Sequence, residues 1–302
     1  MIRLLLCLCF ISSYTSTARL SASLPTRGVS FSPAGLLTPF HLGVAQTLKD
    51  AGVIDQQTVL SGASGGALAS VLTALDTPKL ESLEACKNIA VKCRDLGTFK
   101  TLRQSLDEEL DIIITAEAVD KINDRPGKVA IAYLDVLPRI KSNLVSAFED
   151  AEHLKQTLRA SCCIPIYFSG FPAVRVNQKH STSYAVDGFF AVNRSRFGCP
   201  ATGAKIEIIV CPFDPLTVGL KPTCKNTITK IIAPNNVNWS NTKDMLALAL
   251  APPTGRSLGQ VNNSRSLATD SEIYDVYNGL YESGEACANE FLRKEWPSLL
   301  SC

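Results

Sequence analysis

Five residues, Gly62, Ala63, Ser64, Gly65 and Gly66, constrain this chain more than any other stretch. They spell G-x-S-x-G, the spacing of the nucleophile elbow, in which a serine occupies a sharp turn between a strand and a helix. The glycines two before and two after leave no Cβ to collide where the backbone doubles back, and the strained turn pushes the hydroxyl into the open. The flanks fit that context. Thr58 to Leu60 is short, apolar and β-prone after the turn signal at Gly52 to Gln57, and Ala67 to Leu75 is rich in alanine and leucine with no breaker.

The surrounding order extends the same pattern. Gly28 to Ser32 reads as a first strand, followed by a loop from Pro33 to Leu37. Thr38 then suits an N-cap with Pro39 at the first helical position, and Phe40, Val44 and Leu48 recur at four-residue spacing until Gly52. Strand, loop, helix, turn, strand, elbow, helix is βαβα order, which predicts an α/β fold with a mostly parallel central sheet between helical layers. Further helices are expected over Lys79 to Arg94, Phe99 to Leu110, Glu149 to Ala160, Asp244 to Ala251 and Glu272 to Leu292, and further strands over Lys128 to Leu134, Tyr184 to Phe190 and Lys205 to Val210.

At 302 residues the chain can bury one substantial core, and a single catalytic domain is expected over 27–296. A net charge of +2 with 19% charged residues gives no basic field for nucleic acid and no acidic disordered tail. Residues 1–22 read as a targeting segment. Arg3 precedes the apolar run Leu4 to Ile11, too short to span a bilayer, and a stretch of small hydroxyl residues follows. A cleaved secretory signal leading to the secretory pathway, the cell exterior or the endomembranes is expected first. The absence of Asp and Glu before Asp50 equally suits a transit peptide to a plastid or other organelle. Of the eleven cysteines, Cys7 and Cys9 fall in this segment and leave an odd nine, which argues against a complete disulfide framework. Cys86, Cys93, Cys162 and Cys163 read as core thiols, and Cys199, Cys211, Cys224, Cys287 and Cys302 stay open for bridges. With no C-x-x-C pair and no histidine cluster, no metal or other cofactor is expected.

A serine hydroxyl needs a base to take its proton. The chain has three histidines, and none follows the Asp187-Gly188 pair. His41 precedes the serine, His153 lies in a charged helical stretch, and His180 lies in the polar loop Asn177 to Ser183.

Gly62 to Gly66, the segment Ala160-Ser161-Cys162-Cys163-Ile164-Pro165, and Asp187-Gly188 occur in the order and approximate spacing of the patatin-like phospholipases, and Tyr277 to Tyr281 resembles that family's closing helix. The resemblance runs from about Val29 to that helix. It implies a three-layer α/β/α fold and a lipid acyl hydrolase with a Ser-Asp dyad, in which Ser64 attacks an ester carbonyl and Asp187 accepts its proton. It also implies a lipid substrate (phospholipid, galactolipid or acylglycerol) met at a membrane or lipid-droplet surface. Because a carboxylate is a weaker base than imidazole, Asp187 has to be partly desolvated and the oxyanion well stabilised.

The chain departs from the family in the oxyanion loop. Where the family has a glycine-rich run, this sequence has Ser32, Pro33, Ala34, Gly35, Leu36, Leu37 and Thr38. Pro33 brings no N–H donor, while Ala34 and Gly35 can donate, and the helix near Pro39 directs its positive dipole end toward the site. Two rival functions remain open at this point: a carboxylesterase whose triad includes His153 or His180, and a lipid-binding protein that no longer cleaves. Asn193, Asn238 and Asn262 begin N-x-S sequons.

Overall fold

A computed structural model of the chain describes residues 26–178, 181–222, 226–234, 245, 247–252 and 268–299. Eight strands form one sheet: β1 (Arg27–Phe31), β2 (Val59–Ala63), β3 (Val129–Leu137), β4 (Lys141–Val145), β5 (Val174–Gln178), β6 (Ser181–Val186), β7 (Ile206–Val210) and β8 (Ile228–Ile232). The main helices are α1 (Thr38–Asp50), α2 (Gly65–Leu75), α3 (Lys79–Leu96), α4 (Thr98–Ile113), α5 (Ala116–Asp124), α6 (Ala151–Ser161) and α7 (Asp270–Lys294). The run β3-β2-β1-β7-β8 is parallel, as the βαβα order requires, while β4, β5 and β6 pair antiparallel at the other end. Along β7, Ile208 and Val210 enter one buried cluster while Ile209 and Cys211 enter a second, so the sheet is apolar on both faces there.

The register of β3 brings the site together. Ile131 and Ala132 pair with both β2 and β4, and Leu134 and Asp135 pair with both β4 and β6. A strand has two edges, so β4 occupies one, and β2 and β6 share the other. They approach along it from opposite directions, Ala63 opposite Ala132 and Val186 opposite Leu134. Residues 64 and 187 therefore emerge from two strand ends that meet head to head.

Several boundaries differ from the sequence expectation for local reasons. Gly35, at φ +54°, turns the chain early, and a 3-10 turn over Gly35–Leu37 leads into α1. Thr38 consequently lies inside the helix, and its hydroxyl donates to the Gly35 carbonyl at 2.8 Å instead of capping. The expected strand through Phe190 stops at Val186, because the Asp187 carboxylate accepts the Phe189 N–H and folds the next residues, Gly188–Ala191, into a 3-10 turn. In α4, Phe99 and Lys100 are non-helical and make a kink. Helix α5 and strands β4, β5 and β8 go beyond the elements anticipated from sequence. Of the helix expected over Asp244 to Ala251, 245 and 247–250 are helical, while 244 and 246 lie outside the described residues. Cys199, Cys211 and Cys287 are free thiols rather than bridge partners, while Cys224 and Cys302 lie outside the described residues, as do His180, Asn238 and Asn262.

Candidate active site

Ser64 ends β2 and caps α2 with φ 55° and ψ −130°, a backbone conformation that costs a non-glycine residue free energy. The turn is possible because of its two glycines. A Cβ on Gly62 would fall 2.1 Å from the Gly66 carbonyl oxygen, and one on Gly66 would fall 2.4 Å from the carbonyl oxygens of Phe31 and Ser32. The Ser64 N–H donates to Ser161 Oγ at 2.9 Å, a fully buried hydroxyl at the end of α6.

Asp187 faces the same point from β6. Its N–H donates to the Cys163 carbonyl at 2.8 Å, and its Oδ1 accepts the Phe189 N–H at 2.8 Å. Thus Ser161 holds one strand end and Cys163 the other. The following residue seals the junction, since a Cβ on Gly188 would lie 2.3 Å from the Ala132 carbonyl oxygen and 2.8 Å from the Ala63 Cβ. Oδ2 of Asp187 has no hydrogen-bond partner among the described residues. Burial raises the carboxyl to about 7, against the pull of the Phe189 N–H and the nearby Ser64 hydroxyl. Cys162 is adjacent, and its thiol is held protonated by burial and by the Asp187 charge. It therefore offers no competing thiolate.

The loop after β1 meets this junction through Gly35. A Cβ on Gly65 would fall 3.0 Å from the Gly35 nitrogen, which places the Gly35 amide over the first turn of α2, and that amide donates to no group among the described residues. Gly35 itself lines the cavity that Ser64 opens into, whereas Ala34 is buried in the second core cluster with Leu37, Cys199 and Phe213. Pro33 lies against Gly198, where an added Cβ would come within 2.5 Å of its ring. Behind the loop, His41 Nε2–H donates to the Ser32 carbonyl at 2.9 Å, and burial lowers this histidine to about 4, so it is neutral. His153 Nδ1 accepts the Glu149 N–H at 3.1 Å, in the first turn of α6. Neither described histidine bonds to Ser64 or Asp187.

From Ser64 an apolar cavity runs along α2 past Leu68, Val71 and Leu72, enclosed by Ala85 and Ile89 of α3, Leu102, Leu106, Leu110 and Ile113 of α4, and Ile164, Tyr167 and Phe168. It holds about 940 Å³ of atom-free space, part of it open to solvent. Ser64 to Leu72 corresponds to roughly 12 Å of helical rise. The junction thus combines a hydroxyl, a buried carboxylate with one oxygen and a nearby amide both unpaired among the described residues, and an apolar slot that would take a hydrocarbon chain. Sequence reasoning marked the Ala160 to Pro165 segment without assigning roles to Ser161 and the Cys163 carbonyl.

Comparison with known proteins gives a family model, described as Patatin-like phospholipase, that matches residues 29–195. Among solved structures, the crystal structure of VipD from Legionella pneumophila is similar over 87% of this chain and 68% of that one, at 12% identity and a TM-score of 0.33. That level of likeness leaves the assignment to rest on the sequence match. Among curated proteins none matches.

Proposed function

The chain belongs to the patatin-like phospholipase family, the match over residues 29–195 spanning more than half of its 302 residues, and from that premise we propose a serine-dependent lipid acyl hydrolase with Ser64 as nucleophile and Asp187 as proton acceptor. The observation that carries this reading is the buried Asp187 carboxyl beside the Ser64 hydroxyl, with its Oδ2 unpartnered among the described residues and its pKa raised by burial to about 7. A carboxylate so tuned can exchange a proton near neutrality.

Ser64 Oγ attacks the ester carbonyl and its proton passes to Asp187. The oxyanion accepts the Gly35 N–H, and collapse expels the alcohol, which takes the proton from Asp187. Water then attacks the acyl-serine, again with Asp187 as base, and the fatty acid leaves with Ser64 reprotonated. The neutral His41 supports the oxyanion loop through Ser32 and takes no proton. The chain occupies the apolar cavity. Ile166, Phe171 and Leu250 are exposed near residues that line it, which suits contact with a lipid surface carrying phospholipid, galactolipid or acylglycerol. Residues 1–22 direct the chain to the secretory route, a claim tested by the mass of the mature N-terminus.

A fluorophosphonate probe tests the nucleophile: wild type labels, Ser64→Ala does not, and Asp187→Asn loses ester turnover. Labelling absent from the wild type, with fatty-acid binding retained, would make the protein a lipid binder. Full turnover in Asp187→Asn would end the dyad. A panel of lipid classes then ranks the substrates.

A further inference from the structure

A hydrocarbon chain asks nothing polar of its slot, yet Cys86, Glu109 and Tyr277 are among the residues that line this one. Glu109 shares a helical face of α4 with Leu102, Leu106 and Ile113. The other acidic residues of that helix, Asp107, Glu108 and Asp111, are in ion pairs with Arg159, Lys92 and Lys155, whereas Glu109 is 7% exposed and enters no ion pair among the described residues. Burial raises its carboxyl above the ordinary value, opposed by the Asn88 side chain. Tyr277 of α7 also lines the cavity; it is 2% exposed, and its hydroxyl has no hydrogen-bond partner among the described residues. Cys86 links the two, since its thiol feels the Glu109 charge and the Tyr277 hydroxyl feels the thiol.

A buried hydroxyl left unpaired in a cavity is a recognition element, because a ligand that supplies its partner gains over one that cannot. We propose that the cavity selects oxygenated acyl chains, bearing a hydroxyl, keto or epoxy oxygen part-way along, with the Tyr277 hydroxyl donating to that oxygen and Glu109 beside it. This rests on the acyl-hydrolase reading and names its substrate class. Tyr277 acts as a specificity residue in the chain slot and takes no part in breaking the bond.

The test separates binding from turnover. In full-length Ser64→Ala protein, displacement of a fluorescent polyene fatty acid is measured with stearic acid and with hydroxystearic acids carrying the hydroxyl at successive positions. At least one hydroxy isomer is expected to displace the probe at about a tenfold lower concentration than stearic acid, the effect of one hydrogen bond gained. Adding Tyr277→Phe, which removes only the unpaired oxygen, should return that isomer to the level of stearic acid. Equal displacement by all the acids, or a preference that survives Tyr277→Phe, overturns the proposal. The matching nitrophenyl esters are assayed with wild-type enzyme in parallel. Selective binding without turnover upholds this inference and sinks the hydrolase reading, while turnover without selectivity does the reverse.

Discussion

The amide of Ser64 donates to the hydroxyl of Ser161 at 2.9 Å across 97 residues of sequence, tying the strained elbow to the end of α6. Replacing Ser161 with Ala leaves that N–H buried without a partner, at a cost of about 1–3 kcal/mol. The expected result is a lower melting temperature and a lower kcat with KM nearly unchanged, because the residue positions the nucleophile and lines no chain contact. A loss confined to KM would show that Ser161 serves substrate binding instead.

Asp187 has to be ionised to accept a proton, and its carboxyl is raised to about 7 by burial. The ratio kcat/KM should therefore climb about tenfold per pH unit below that value and level off above it. A profile already flat from pH 5 would mean that another group is the base.

Stability feels the same carboxyl with the opposite sign. Between the ordinary carboxylate range and about 7, the native state holds a proton that the unfolded chain has released, so stability falls as pH rises, by on the order of 4 kcal/mol in all. His41, lowered from 6.5 to about 4, refuses a proton that the unfolded chain accepts, so its contribution falls as pH drops through that window, by on the order of 3 kcal/mol. The two nearly offset one another in the wild type. Asp187→Asn removes the first and keeps the second, and it should be more stable than wild type at pH 8 and lose stability steadily below pH 6.5. Urea unfolding across pH checks this. A variant no firmer than wild type at pH 8 would contradict it.

Gly35 sits at φ +54°, and a Cβ there would lie 2.0 Å from the Ala249 carbonyl oxygen. Gly35→Ala forces the loop away from the Ala249 carbonyl and moves the amide assigned to the oxyanion. Removal of one such donor typically costs 10²–10³ in kcat, and about that loss is expected on a soluble ester. Activity within threefold of wild type would place the oxyanion elsewhere.

How much of this was legible in the sequence follows from how local each cause is. The elbow is a steric problem solved within five residues, so Gly62 to Gly66 announced it, and the parallel half of the sheet followed from the βαβα order around it. Asp187 was visible through family resemblance alone, because the head-to-head meeting of β2 and β6 depends on a shared edge of β3. Ser161, the Cys163 carbonyl, Glu109 and Tyr277 owe their significance to neighbours far away in sequence, and on their own helices they read as ordinary polar or core positions. The Thr38 cap misjudged one torsion, that of Gly35. Bridging was left open for Cys199, Cys211 and Cys287 because spacing does not report which thiols meet.

The kink in α4 reaches beyond its own helix. It frees the Lys100 and Arg103 amides to donate to the Tyr167 and Phe168 carbonyls, each at 3.2 Å, while the Tyr167 hydroxyl donates to the Leu250 carbonyl. Three distant stretches of chain are thereby laced into one frame beside the cavity, two of them by main-chain bonds and the third by the Tyr167 phenol. A frame of that kind sets the width of the doorway largely by main chain and leaves its selectivity to the other side chains hung on it. What such a doorway admits can thus change by single substitutions without rebuilding a loop.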